Sequence, residues 1–280
     1  MKHTVVFLGF LFCLFLTGCA TTRKVGTGSV GPMQNIYREG DILVTLDAQK
    51  EPALAEKILG SRELAKRCDR ISASFTPKDA AYPFNTQNAV LTAVVEGDYP
   101  GFLVNVALGS NSAFAKAGDH FTHDALSVGS LSKETLLCTN GNWKERKDAF
   151  LLPPALDDLT AGRLSSVCIA LYVRNPVSFF DLGFDIPQSV FKTIREISVG
   201  INEQHEADIM IKVESDEKAS SLSKLLRSAY IADLRREKIA FSLEDLKKMF
   251  TLEGNMLTIT NMKISDSQFS KMTENLGVLV

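Results

Sequence analysis

The stretches "AVLTAVVEGD" (residues 89–98) and "ADIMIKVESD" (residues 207–216) decide the fold. Each is a run of aliphatic and β-branched residues, which is typical of a strand. Each run ends in two closely spaced acids, Glu96 with Asp98 and Glu214 with Asp216, directly before a segment with helical character. The two stretches therefore occupy the same place in two similar successions of elements.

The segments around these stretches extend the similarity over both halves of the chain. Each half is predicted to follow the order β-α-β-β-α-β-β, the second with an extra helix. Ile71 and Ile197, on corresponding predicted strands, are separated by nearly the same distance in sequence as Glu96 and Glu214. The alternative is a chance agreement of two α+β patterns, because few residues are identical. The sequence predicts an α+β fold with an internal duplication of this unit, and antiparallel or mixed sheets with helices packed on one face.

The two predicted units occupy residues 39–143 and 164–280, and we expect them to face each other across a cleft. Residues 144–163 are predicted to connect them, because this segment combines charges, two adjacent prolines and a glycine. The clearest helix is predicted at residues 216–238. It begins with acids and ends with bases, an order that suits the helix dipole.

The amino-terminal residues follow the plan of an export signal. A basic start precedes an apolar run from Val5 to Leu16, which is shorter than the roughly 20 residues needed to span a bilayer. The residues Leu16-Thr17-Gly18-Cys19 resemble the lipobox of bacterial lipoproteins. The resemblance implies that residues 1–18 are a signal peptide, that the Cys19 thiol carries a diacylglycerol, and that the new amino terminus is acylated, for example with palmitate. An uncleaved anchor with a chance cysteine is the alternative.

The residues after the lipobox predict how the folded body is attached and which membrane carries it. Residues 19–38 are small, polar and glycine-rich, as expected of a flexible tether. Ala20, rather than an aspartate, follows Cys19, and in enteric-type bacteria this feature implies sorting to the outer membrane. The sequence thus predicts an exported protein, lipid-anchored to a bacterial membrane and exposed to the periplasm.

Composition narrows the function of the body. The formal net charge is −2 and the sequence contains no basic block, which disfavours nucleic-acid binding. Cys68, Cys138 and Cys168 lie in apolar contexts and are predicted to be buried rather than to form a disulfide framework. No catalytic motif is evident, and the acidic pairs are expected to cap helices rather than to act as general acids and bases. The sequence therefore favours a non-enzymatic binding or scaffolding module, with no cofactor beyond the covalent lipid.

The segment "SFFDLGF" (residues 178–184) suggests what such a module could contact. It concentrates Phe179, Phe180, Leu182 and Phe184 in a stretch broken by a glycine. One interpretation is a wedge of core residues. The other is an exposed apolar lip or pocket lining that contacts lipid, an acyl ligand or a protein partner, which would make the protein a carrier of an apolar ligand.

The segment "DHFTHD" (residues 119–124) is the richest in metal-ligand types. Asp119, His120, His123 and Asp124 offer nitrogen and oxygen donors to zinc or copper, as in a metal-binding protein or a metal-dependent hydrolase. A closed zinc site needs about four ligands, and His205 is distant in sequence. The favoured interpretation is therefore a polar loop tip.

Overall fold

A computed structural model describes residues 31–60, 62–78, 88–177, 188–265 and 268–270 of the chain. The strands in these residues are β1 (Ile42–Asp47), β2 (Cys68–Pro77), β3 (Ala89–Gly97), β4 (Ala115–Ala117), β5 (His120–His123), β6 (Leu126–Ser132), β7 (Thr135–Thr139), β8 (Ile169–Arg174), β9 (Ile194–Ile201), β10 (Glu206–Val213), β11 (Phe250–Glu253) and β12 (Met256–Lys263). The helices are α1 (Gly31–Ile36), α2 (Pro52–Leu59), α3 (Arg62–Arg67), α4 (Gly101–Gly109), α5 (Trp143–Asp148), α6 (Asp158–Ser165), α7 (Gln188–Phe191), α8 (Asp216–Arg236) and α9 (Leu243–Met249), with a short 3₁₀ turn at Ala149–Leu151.

The strands of the described residues form one 12-stranded sheet in the order β11-β12-β10-β9-β8-β1-β2-β3-β7-β6-β5-β4. Each pair of neighbouring strands is antiparallel, so the predicted α+β class is confirmed.

The two halves of the chain meet at the centre of this sheet. Strand β1 pairs with β8, with Leu43 opposite Tyr172 and Leu46 opposite Ile169. This pairing satisfies the backbone groups of two strands that would otherwise be sheet edges. The halves are therefore joined edge to edge, and the expected cleft between two facing units is wrong.

The strand order is similar on both sides of the β1–β8 pair. One side runs β1-β2-β3-β7-β6 before β5 and β4, and the other runs β8-β9-β10-β12-β11. Glu96 lies near the end of β3, and Glu214 follows β10 directly. An origin of the two halves by duplication stays a prediction.

Helices cover both faces of the sheet, not one face as predicted. Leu43 packs in a cluster with residues of α1, α5 and α6. Ile42 and Leu46 of the same strand point to the opposite face. There Ile42 belongs to the apolar cluster that includes α8 and α9, and Leu46 belongs to the cluster that includes α2 and α3. The physical reason lies in the central strands β1 and β8, which are almost continuously buried and need cover on both faces.

The folded body begins earlier than the predicted tether allows. Helix α1 lies within residues 19–38, yet Met33, Ile36 and Tyr37 are at most 2% exposed. The predicted connector is also folded, because residues 144–163 contain most of α5 and α6. Within the described ranges, no helix has the length and apolarity needed to cross a membrane.

Candidate functional site

Two of the predicted sites fall outside the described residues. They are the lipidation site Cys19 and the apolar segment with Phe179, Phe180, Leu182 and Phe184. Both stay predictions.

Asp119 and His120 of the DHFTHD segment form a polar contact with helix α5. The His120 ring stacks on Trp143 with the ring centroids 4.6 Å apart. Asp119 Oδ1 accepts a hydrogen bond from Trp143 Nε1 at 3.0 Å and lies 3.2 Å from His120 Nδ1. Lys147 also pairs with Asp119, and these hydrogen bonds, that of Lys147 first, lower the pKa of Asp119 to about 2. This network attaches β5 to α5.

His123 lies in a different environment. Its Nδ1 donates to the Ala113 carbonyl oxygen at 2.8 Å, and its ring centroid is 5.3 Å from that of Phe114. Because β5 is a strand, residues three apart point to opposite faces. The strand thus separates His120 from His123, whereas the metal hypothesis requires them to converge. In the part of the chain that the structure describes, no group of three His, Cys, Asp or Glu residues is placed to hold a metal ion.

The Asp119 network gives a prediction for stability. Asp119→Ala removes the acceptor of Trp143 Nε1, so we expect the free energy of unfolding to fall by about 1 kcal/mol. Trp143 is the only tryptophan of the chain, so its fluorescence during urea unfolding measures the change. Asp124→Asn is the control, because the Asp124 side chain is 75% exposed and asparagine suits its φ of 51°. Equal midpoints for the two variants would contradict the prediction.

The prediction that the acidic pairs cap helices is wrong, because Ser215 and Pro100 occupy the N-cap positions. Ser215 caps α8, with its hydroxyl accepting from the Lys218 backbone N–H at 3.4 Å. Glu214 pairs instead with Arg195. Asp98 lies 3.5 Å from Arg67, and α4 begins only after Pro100. Sequence proximity to a helix was therefore a poor guide to the partner of each acid.

Glu96 lies on β3, within the sheet layer, and not at the helix start where the sequence pattern predicted it. It stands opposite Arg70 in the β2–β3 register. Arg70 Nη2 donates to the Ser165 carbonyl oxygen at 2.9 Å and lies 3.8 Å from Asp47 Oδ2. Burial raises the pKa of Glu96 to about 7, although the Arg70 charge opposes this effect.

The larger candidate binding site, cavity A, lies between α8 and the sheet. It is a cavity of about 180 Å³. Its lining comprises Val44, Ile169, Leu171, Ile194, Ile197, Val199, Ile201, Ala207, Ile209, Ile211, Leu222, Leu226, Ala229, Tyr230, Asp233, Phe250, Ile259, Met262, Lys263, Ile264 and Gln268. Three of these residues, Asp233, Lys263 and Gln268, carry a charge or an amide.

The polar residues of cavity A lie close to one another. Gln268 Nε2 donates to Asp233 Oδ2 at 3.2 Å. Burial raises the pKa of Tyr230, and a hydrogen bond from the Lys263 backbone opposes the increase. Tyr230 and Asp233 are three positions apart on α8 and so share one helix face. Cavity A therefore has an apolar interior and a polar group of residues at one place in its wall.

A second cavity, cavity B, lies in the other half of the molecule. It has a volume of about 110 Å³ and is enclosed by α2, α3, α4 and strands β2, β3, β6 and β7. Its lining comprises Ile58, Leu59, Leu64, Ile71, Ala73, Leu91, Ala93, Val95, Tyr99, Pro100, Leu103, Val104, Ala107, Leu108, Leu126, Val128, Leu136 and Cys138. No residue of this lining carries a charge.

Comparisons with known proteins identify similar folds. A structure of crystal form I of TP0453 is similar to this chain with a TM-score of 0.56 and 11% identity, over 90% of this chain and 99% of that one. A structure of crystal form IV gives a TM-score of 0.53 and 12% identity, over 90% and 98% respectively. At this identity the similarity shows the fold alone. No protein-family model matches the chain, and no curated protein matches it.

Sequence signals for cavity A existed but were incomplete. Leu222, Leu226 and Tyr230 recur at helical spacing on α8, which predicts that one face of this helix is buried. The same periodicity describes a helix packed tightly on a sheet. The space between them depends on the distance between the two layers, which no local pattern specifies.

Proposed function

We propose that the protein is an envelope lipoprotein, anchored through Cys19, whose body is a non-enzymatic binding module for an apolar ligand. Cavity A is the observation that supports ligand binding by the body, and the lipobox sequence supports the anchor. Its wall offers aliphatic and aromatic surface to a ligand, and Asp233, Lys263 and Gln268 offer polar contacts to a head group. This combination matches an amphiphile, such as a molecule with an acyl chain and a polar end.

The volume of cavity A limits how much of the ligand it can hold. A protein cavity of about 150 Å³ holds a molecule the size of benzene. At about 180 Å³, cavity A is slightly larger. It therefore fits the terminal part of an acyl chain and not a whole lipid, and the rest of the ligand would extend towards solvent.

The position of cavity B supports a duplicated origin of the two halves, which we also propose. Cavity B lies against α4, the helix that follows β3, and cavity A lies against α8, the helix that follows β10. In the strand order, β3 and β10 hold corresponding places. The two cavities thus offer a comparison within one molecule.

The ligand proposal is tested by filling each cavity with the same substitution. Val199 lines cavity A and Val104 lines cavity B, and both are partly buried. We expect Val199→Phe to weaken the binding of a fluorescent fatty acid about tenfold or more, because the phenyl ring occupies the space of the chain. Val104→Phe should leave the affinity nearly unchanged.

The titration is combined with the melting temperature of each variant, which shows whether the added ring is accommodated. Equal affinity of wild type and Val199→Phe, with both folded, would contradict binding in cavity A.

The anchor is tested separately by the mass of the membrane-extracted protein, which should include the lipid on Cys19, and by the release of Cys19→Ala from the membrane.

A further inference from the structure

We propose that Leu151, Leu152 and Leu159, with the apolar residues between Leu152 and Leu156, form a surface that lies on the membrane holding Cys19. We call this surface the leucine loop. The inference rests on the proposed anchor and adds to it a second, non-covalent contact that orients the body.

The leucine loop exposes large apolar side chains to an unusual extent. Leu151 is 84% exposed, Leu152 59% and Leu159 86%. Residues 151–155, Leu-Leu-Pro-Pro-Ala, are all exposed in succession. Runs of consecutive exposed apolar residues are avoided unless they serve a function, and contiguous apolar patches mark interaction sites.

The backbone of the loop is held in this outward position by helix α1. Asn35 Nδ2 donates to the Leu152 carbonyl oxygen at 3.3 Å, and Gln34 Nε2 donates to the Leu156 carbonyl oxygen at 2.9 Å. Leu156 is 2% exposed and packs in the core beneath α1. Leu151 and Leu152 thus lie on a segment whose backbone is hydrogen-bonded to α1, and Leu159 lies in the first turn of α6.

The position of Gly31, the first described residue, relative to Cys19 indicates that the bilayer is what contacts this surface. Gly31 opens α1, one helical turn before Asn35. The 11 residues 20–30 lie between Gly31 and Cys19. Fully extended, such a segment spans at most ~40 Å. An anchored Cys19 therefore keeps the leucine loop close to the bilayer.

The two acids between Leu156 and Leu159 have partners within the protein. Asp157 caps α6, with Oδ1 accepting from the Thr160 backbone N–H at 2.8 Å. Asp158 Oδ1 accepts from Gln34 Nε2 at 2.8 Å. A few apolar side chains beside carboxylates that are already hydrogen-bonded suit shallow insertion at the boundary between lipid head groups and acyl chains.

The test places a tryptophan in the loop of the full-length lipidated protein. Leu151→Trp is reconstituted with vesicles of phosphatidylethanolamine and phosphatidylglycerol, with and without bromine on the acyl chains. Leu243→Trp is the matched control, since Leu243 is 68% exposed and belongs to α9 on the opposite face of the sheet. The native Trp143 is 8% exposed and sets the background in the unsubstituted protein.

We expect the emission of Leu151→Trp to shift to shorter wavelength with vesicles and to be quenched by bromolipids, whereas Leu243→Trp behaves like the background. Flotation of the same vesicles tests the anchor independently. Flotation without quenching at position 151 overturns the membrane contact and leaves the anchor intact. Absence of flotation overturns the anchor, and the contact with it. Equal quenching at positions 151 and 243 also overturns the proposal. So does an emission shift at position 151 without bromolipid quenching, if chemical crosslinking then shows that a second copy of the protein covers the loop.

Discussion

Gly97→Ala is expected to lower the free energy of unfolding by more than about 3 kcal/mol, or to prevent folding. A Cβ atom at this position would lie 2.0 Å from the Arg67 carbonyl oxygen and 2.9 Å from the Arg67 carbonyl carbon. Both backbones at the contact are fixed. The Gly97 N–H donates to the Glu134 carbonyl at 2.9 Å, and the Asp98 N–H donates to the Arg67 carbonyl at 3.0 Å. Neither segment can move away without loss of these bonds.

Gly162→Ala is the matched control for this substitution. Gly162 is an exposed residue within α6, and an added Cβ meets nothing within 4 Å. Alanine there should raise the free energy of unfolding by about 0.5–1 kcal/mol, because glycine has the larger backbone entropy in the unfolded chain. Urea unfolding followed by Trp143 fluorescence measures both variants. A Gly97→Ala midpoint equal to that of wild type would show that the contact is relieved at little cost.

The sequence predicted elements well where a local pattern is strong. The runs of aliphatic and β-branched residues in β3 and β10 and the charge order of α8 are properties of single segments. The pairing of β1 with β8 is not, because both strands are apolar and the pattern does not state which strand lies beside which. The expectation of two facing units failed at this point.

The candidate sites show the same limit. His120 and His123 are three positions apart, a spacing that converges on a helix but diverges on the strand where they lie. The leucine loop lies in the segment predicted to be a connector, and local composition does not reveal that its leucines are exposed while Leu156 is buried. Exposure and cavity volume depend on tertiary packing, so both emerge only from the structure.

Glu96→Gln is expected to stabilise the protein at pH 8 by on the order of 3 kcal/mol. Burial raises the pKa of Glu96 from its ordinary value of 4.5 to about 7. Glu96 Oε2 and Arg70 Nη1 are buried, and neither has a hydrogen-bond partner among the described residues. At pH 8 the folded protein therefore holds an ionised carboxylate in an environment that favours the neutral acid.

The sign of the pH dependence follows from this increase in pKa. Between pH 4.5 and about 7 the folded state binds more protons at Glu96 than the unfolded state does, so this residue lowers stability as the pH rises through that interval. Above pH 7 the carboxylate is ionised in both states and the penalty is constant. Glutamine has no such charge, so its advantage should be large at pH 8 and below about 1 kcal/mol at pH 5.

Urea titrations of wild type and Glu96→Gln at pH 5 and pH 8 measure this difference, and the comparison cancels the contributions of histidines and other groups common to both proteins. Glu134→Gln is the control for removal of a carboxylate at the surface, since that side chain is 72% exposed. The competing effect is the attraction between Glu96 and Arg70 across β2 and β3. If that attraction outweighs the cost of desolvating the carboxylate, Glu96→Gln will be less stable than wild type at pH 8.

The reason is that Arg70 then loses its cross-strand partner and keeps only the Ser165 carbonyl and Asp47. The direction of the change at pH 8 thus decides whether burial or pairing dominates at Glu96.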